Sequence, residues 1–116
     1  MKKITLIIIV FIIASCVKKD NENIAKGTPD CIKGIINFIK SEPKRNPPAK
    51  IYRYLWEGRT VYYIPPFCCD IPSDLLDSTC ALICHPDGGF SGTGDGNCVN
   101  FIRDKTNELL VWQDNR

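Results

Sequence analysis

The chain has 116 residues, with 15 lysines and arginines against 13 acids, one histidine and seven cysteines, for a formal charge of +2. That length fits one domain of ordinary size. So even a charge balance, with no basic run in the body of the chain, excludes the electrostatic footprint of a nucleic-acid-binding surface.

The first segment departs from the rest. Lys2 and Lys3 precede an apolar run from Ile4 to Ala14, which Ser15 and Cys16 close. About 11 apolar residues are too few for a membrane span, which needs roughly 20. A basic start, a short apolar stretch and small residues before a cut make a secretory signal over residues 1–15. With cysteine in the first mature position, Ile13-Ala14-Ser15-Cys16 resembles the lipobox of bacterial lipoproteins. The resemblance implies a thioether-linked lipid on Cys16, cleavage before it and acylation (typically palmitate) of the new amino terminus. Several acyl chains anchor stably without a span, since each buried methylene contributes about 0.8 kcal/mol. Val17 is not the aspartate that retains many lipoproteins at the inner membrane, so the expected location is the cell envelope, at the outer membrane. Lys18-Lys19-Asp20 is similar to the surface-export signals of some diderm bacteria and reads equally well as solvated linker. Loss of Lys2 and Lys3 leaves thirteen charges of each sign, so the mature chain is neutral.

Residues 16–27 are polar and without apolar periodicity; they read as lipidated cysteine and tether, with a single domain over 28–116. Thr28-Pro29-Asp30 predicts a helix start, with Thr28 as N-cap and Pro29 in the first helical position. Ile32, Ile35, Ile36 and Ile39 follow at helical spacing, and Pro43 ends the pattern. Asn46-Pro47-Pro48 is extended. Lys50–Trp56 and Arg59–Ile64 are rich in aromatic and β-branched residues and flank Glu57-Gly58, which predicts a β-hairpin. A two-residue loop pairs Trp56 with Arg59, whereas a bulged turn pairs Leu55 with Arg59; both registers remain open. In either, Tyr52, Tyr54 and Trp56 share a face, as core against the helix or as an exposed platform for a protein or glycan. Residues 70–100 hold loop chemistry, with a short helical turn at most in Asp74–Ile83, and Glu108–Gln113 predicts a last strand antiparallel to the hairpin. The fold class is α+β: one N-terminal helix on a short antiparallel sheet, with a long cysteine- and glycine-rich loop region.

Six cysteines follow Cys16: Cys31, Cys68, Cys69, Cys80, Cys84 and Cys98. An even number in a small exported domain predicts a disulfide framework of three bridges. Direct bonding of neighbours closes a strained ring, so Cys68 and Cys69 are expected to reach different partners. Cys80-Ala-Leu-Ile-Cys84-His85 is one residue longer than a haem-attachment motif, and the mature chain, without Met1, offers no second axial ligand of the usual kind. Zinc is disfavoured by the 80/84 spacing and by an oxidising compartment, so no cofactor is expected. His85 with a serine and an aspartate lacks any nucleophile-elbow pattern. The glycine-rich stretch 85–98 carries Asp87 and Asp95, a candidate calcium pair. The simpler reading is a tight loop in which the glycines supply positive φ and both carboxylates accept backbone N–H groups.

From Pro47 onward the chain resembles an uncharacterised family of bacterial exported lipoproteins. The resemblance lies in Pro47-Pro48-Ala49, Val61-Tyr62-Tyr63, Cys68-Cys69-Asp70 and Ser73-Asp74-Leu75. It continues in Ile83-Cys84-His85-Pro86-Asp87-Gly88-Gly89-Phe90, Gly94-Asp95-Gly96, and Asn107-Glu108-x-Leu110-x-Trp112. It implies membership in a domain family of unknown function and assigns no site residue. The expectation is a lipid-anchored envelope protein with a non-catalytic binding role toward an extracellular or periplasmic protein or glycan. The alternative is an inhibitor of a protease or other hydrolase, with Ile64-Pro65-Pro66-Phe67 as bait and Cys68 and Cys69 holding it rigid.

Overall fold

The structure is a computed structural model that describes residues 23–116; the signal 1–15 and Cys16 lie outside the described residues. Helix α1 (Asp30–Ser41) leads into a five-stranded antiparallel sheet of β1 (Lys50–Trp56), β2 (Arg59–Ile64), β3 (Asp74–Leu76), β4 (Leu82–Cys84) and β5 (Thr106–Gln113). A single turn, α2 (Phe101–Asp104), precedes β5, and the strand order is β4-β3-β2-β1-β5. The α+β expectation holds, with a larger sheet than the hairpin and last strand alone.

Ile32, Ile36 and Ile39 turn one face of α1 onto the sheet and are fully or almost fully buried there against Ile51, Tyr62, Leu76, Val111 and Trp112. Each buried isoleucine contributes about 1.5–3 kcal/mol. The helix starts one residue later than the sequence pattern predicts: Pro29 is the capping residue, and the Thr28 hydroxyl donates to the Ala25 carbonyl (2.6 Å). That bond belongs to a docked entry segment. Ile24 packs on the core and the Ala25 N–H donates to Val111 O at 2.9 Å, so this end of the expected tether is fastened to the sheet edge.

The hairpin takes the two-residue register, Trp56 opposite Arg59, with Glu57 and Gly58 both at positive φ (49° and 73°). That is the twist a two-residue loop needs to match its strands. It places Tyr62 on the helix side and Val61 and Tyr63 on the other.

Tyr52, Tyr54 and Trp56 do share a face, and it is the one turned away from α1. There Phe101 stands at the centre of a second core, 5.7 Å from the Tyr54 and Trp56 rings and 5.8 Å from Tyr63. Tyr54 and Trp56 keep 4% and 6% of their surface, so they form no open platform, and only Tyr52 is half-exposed.

Asp74–Ile83 is two short strands and a turn instead of a helical turn. Asp77 decides this: its carboxylate accepts the Thr79 N–H (2.8 Å), the Thr79 hydroxyl (2.6 Å) and the Ala81 N–H (3.0 Å). Such side-chain bonds compete with helix and nucleate turns. Two disulfides clamp the result, Cys31–Cys80 tying α1 to the β3–β4 turn and Cys84–Cys98 tying β4 to the loop before α2. Among the described residues the expected third bridge, with Cys68 and Cys69 reaching separate partners, is not formed; Cys31, Cys80, Cys84 and Cys98 consume one another.

The carboxylate of Asp114, wholly buried, is held by the Arg116 guanidinium at 2.7–3.2 Å, and Arg116 also caps the end of α1 through Lys40 O and Glu42 O. The hydrogen bonds from Arg116 lower the Asp114 pKa to about 2 against the cost of burial. A carboxylate depressed in the folded state stabilises above its unfolded pKa and loses that contribution as pH falls through the folded value. Denaturant midpoints are therefore expected to drop between roughly pH 4 and pH 2. Asp114→Asn, less stable at neutral pH, should show a flatter profile across that window.

Candidate functional site

Two regions gather the residues that the sequence singled out. In the glycine-rich loop, the Asp87 carboxylate accepts the Tyr63 hydroxyl (2.9 and 3.0 Å) and the Ser73 hydroxyl, and the Ser73 N–H donates to Asp87 O at 3.1 Å. Ser73 is fully buried. Burial first, then donation to Asp87, raises the Tyr63 pKa well above the ordinary tyrosine range. Asp95 accepts the His85 and Asn97 N–H groups, each at 2.9 Å, and returns its own N–H to His85 O at 2.9 Å. These backbone bonds hold the Asp95 carboxyl below the usual carboxylate range.

His85 Nδ1 faces two acceptors, Ser73 O at 2.9 Å and Asp74 Oδ1 at 3.0 Å, which fixes a proton on that nitrogen. The Ser73 hydroxyl meanwhile points at Asp87. Serine, histidine and aspartates are thus neighbours, arranged as a lock between β3 and the loop, with no hydroxyl bonded to the imidazole among the described residues. Among the described residues no group of three or more His, Cys, Asp or Glu side chains could hold a metal ion. Asp87→Ala is expected to cost about 1–3 kcal/mol by stranding the partner hydroxyls, equally in calcium and in chelator. A melting temperature of the native chain that rises in millimolar calcium, and no longer does in Asp87→Ala or Asp95→Ala, would restore the metal reading.

The second region lies at the open base of the hairpin. Tyr52 opposite Tyr63, carried outward in the same antiparallel register, sets Pro65 and Pro66 opposite Lys50 and Ala49, next to Pro47-Pro48. Between them is a groove of about 260 Å³ lined by these prolines with Tyr52, Ile64, Phe67, Arg45 and Lys50. The Arg45 guanidinium lies 4.5 Å from the Phe67 ring centroid, a cation–π stack. That stack is shared with a neighbouring hollow of about 410 Å³ lined by Glu42, Pro43, Lys44, Asn46 and Cys68. The Ile64–Phe67 segment therefore forms a concave wall: Ile64 and Pro65 are half-buried, and Phe67, 48% exposed, lies against Arg45.

Arg45 and Lys50 were not singled out by sequence reading, although the signal was available. Once the hairpin register is set, Lys50 and Ala49, next to Pro47-Pro48, fall opposite Pro65 and Pro66.

A small α+β domain with both sheet faces covered and two disulfides is the class this architecture defines. The chain belongs to the family described as Domain of unknown function (DUF6970), whose model matches residues 37–114, from the middle of α1 to the residue after β5. No curated protein and no solved structure matches it.

Proposed function

We propose that the mature chain is a lipid-anchored cell-envelope protein, held at the outer membrane through Cys16, and that its domain binds a protein partner in the groove at the hairpin base. The observation that carries the binding reading is the groove's size and lining. About 260 Å³ is below the roughly 300–1,000 Å³ of sites that enclose a whole small molecule. It suits one apolar side chain presented by a larger partner, as interface anchors do. Prolines, Tyr52 and Phe67 supply rigid apolar walls, and Arg45 and Lys50 supply positive charge at the rim. The preferred occupant is an extended segment with an aromatic or branched apolar residue next to an aspartate or glutamate. The role is non-catalytic in this reading. The polar cluster around His85 is engaged in internal hydrogen bonds, and its one serine hydroxyl is buried on Asp87.

Titration of the domain with short peptides of that type, followed by NMR, tests the site. Shifts should concentrate at Arg45, Tyr52, Ile64 and Phe67, and Arg45→Glu should weaken binding at least about tenfold, the equivalent of about 1.4 kcal/mol. Shifts elsewhere, or occupation of the groove by a peptidoglycan fragment instead, overturn the peptide reading. The anchor is tested separately. Cys16→Ser should leave the protein uncleaved or release it from membrane fractions, and unchanged processing and detergent partitioning would refute lipidation.

A further inference from the structure

We propose that Cys68 and Cys69 are a vicinal redox pair, closing to an eight-membered cyclic disulfide that is open to thiol–disulfide exchange with a dithiol reductant. Four observations converge on the pair. The remaining domain cysteines are consumed in Cys31–Cys80 and Cys84–Cys98, so among the described residues each sulfur has only its neighbour left. The two Sγ atoms lie 2.6 Å apart. That is inside the separation unbonded sulfurs keep and little beyond the about 2.05 Å of a disulfide bond. The backbone is bent to bring them together: Cys69 has φ +58°, a left-handed conformation that a non-glycine residue adopts at a cost, and Ile71 N–H closes the turn onto Cys68 O at 3.2 Å. Both residues are exposed, whereas Cys84 and Cys98 keep only 2% and 5% of their surface.

Ring strain opposes direct bonding of neighbouring cysteines, and that strain is what makes the proposed bond labile. Strained or exposed disulfides are the more easily reduced ones, and a solvent-borne thiolate can reach this pair. Closure removes one proton from each thiol and passes two electrons to the disulfide of a thiol oxidant, which leaves as two thiols. Opening reverses this. The thiolate of an incoming dithiol bonds one sulfur and expels the other as a thiolate. The second thiol of that dithiol then displaces the mixed disulfide, which leaves the dithiol oxidised and Cys68 and Cys69 reduced. The ring lies beside the groove, since Phe67 lines both hollows and Cys68 lines the larger, but the redox chemistry does not depend on what the groove binds.

The test uses the full chain, extracted from membranes without reductant and alkylated under denaturing conditions. Peptide mapping should recover residues 68 and 69 unalkylated in one peptide, lighter by two hydrogens than its reduced form. Under native conditions, dithiothreitol should open this pair at concentrations at least about tenfold below those that open the other two bridges, equivalent to about 30 mV. Cys69→Ser should leave one alkylatable thiol at Cys68 and an unchanged far-UV spectrum, which separates the redox pair from the fold. Full alkylation of both residues in unreduced protein whose Cys31–Cys80 and Cys84–Cys98 bridges are intact would overturn the proposal. So would a bond from either to another chain, or reduction in step with the other two bridges.

Discussion

Replacement of both Cys31 and Cys80 by alanine is expected to lower the unfolding free energy by about 4 kcal/mol, the chain entropy returned when a loop of this size is opened. The 49-residue separation sets that figure, and the 14-residue separation of Cys84 and Cys98 gives about 3 kcal/mol for the second bridge. Against a total of about 5–15 kcal/mol, loss of the first alone brings the domain near its threshold. Its location adds a specific signature. Cys31 is in the first turn of α1 and Cys80 in the β3–β4 turn, so hydrogen exchange should rise first in α1 and around residues 77–81. Urea titration of the double variant measures the size of the effect. A midpoint unchanged from the native chain would show that the helix is held by its isoleucines alone.

Gly94→Ala is expected to be as damaging, by a different route. Gly94 sits at φ +69°, and a Cβ there would run into the His85 carbonyl oxygen and come within 2.8 Å of the Asp87 N–H. Both neighbours are backbone atoms and cannot turn aside. The substitution therefore breaks the paired contacts of His85 with Asp95 and of Gly94 with Gly88, and should cost about 4 kcal/mol or more, in the exceptional range for a single change. Gly92→Ala is the control, with similar φ (+77°) and nothing within 4 Å of the added carbon. It should cost only about 1 kcal/mol of left-handed strain. Equal melting temperatures for the two variants would show that the loop is not packed as described.

The parts of the fold legible in sequence were those with their own periodicity. The isoleucine spacing located α1 to within one residue at its start, and the aromatic runs gave β1 and β2 end to end. What periodicity could not supply was β3 and β4. Three-residue strands are too short for an alternating pattern, and they exist because Asp77 makes the turn and β2 offers an edge. Phe101 is a similar case. Nothing local marks it as the centre of a second core, because its partners Tyr54, Trp56 and Tyr63 come from strands some forty residues earlier. The cysteine pattern announced a disulfide framework but not its pairing, which depends on which turns face each other in space. For Asp95, the reading of a carboxylate taken up by the loop's own N–H groups matches the hydrogen bonds found, whereas the Asp87 carboxylate takes the Tyr63 and Ser73 hydroxyls from outside the loop instead of the expected N–H groups.

The strand order carries a consequence for how the molecule is assembled. Within the sheet β5 comes last in chain order, yet it pairs with β1, which is synthesised some fifty residues earlier and stands between β2 and β5 in the finished sheet. A growing chain can therefore complete α1 and the hairpin while one side of β1 still has no neighbour. Until residues 106–113 arrive, the main-chain groups of Ile51, Arg53 and Leu55 that later face β5 form a bare sheet margin, the kind of template on which unfinished chains join one another. Completion of the sheet, and with it protection from self-association, is deferred until residues 106–113 are in place.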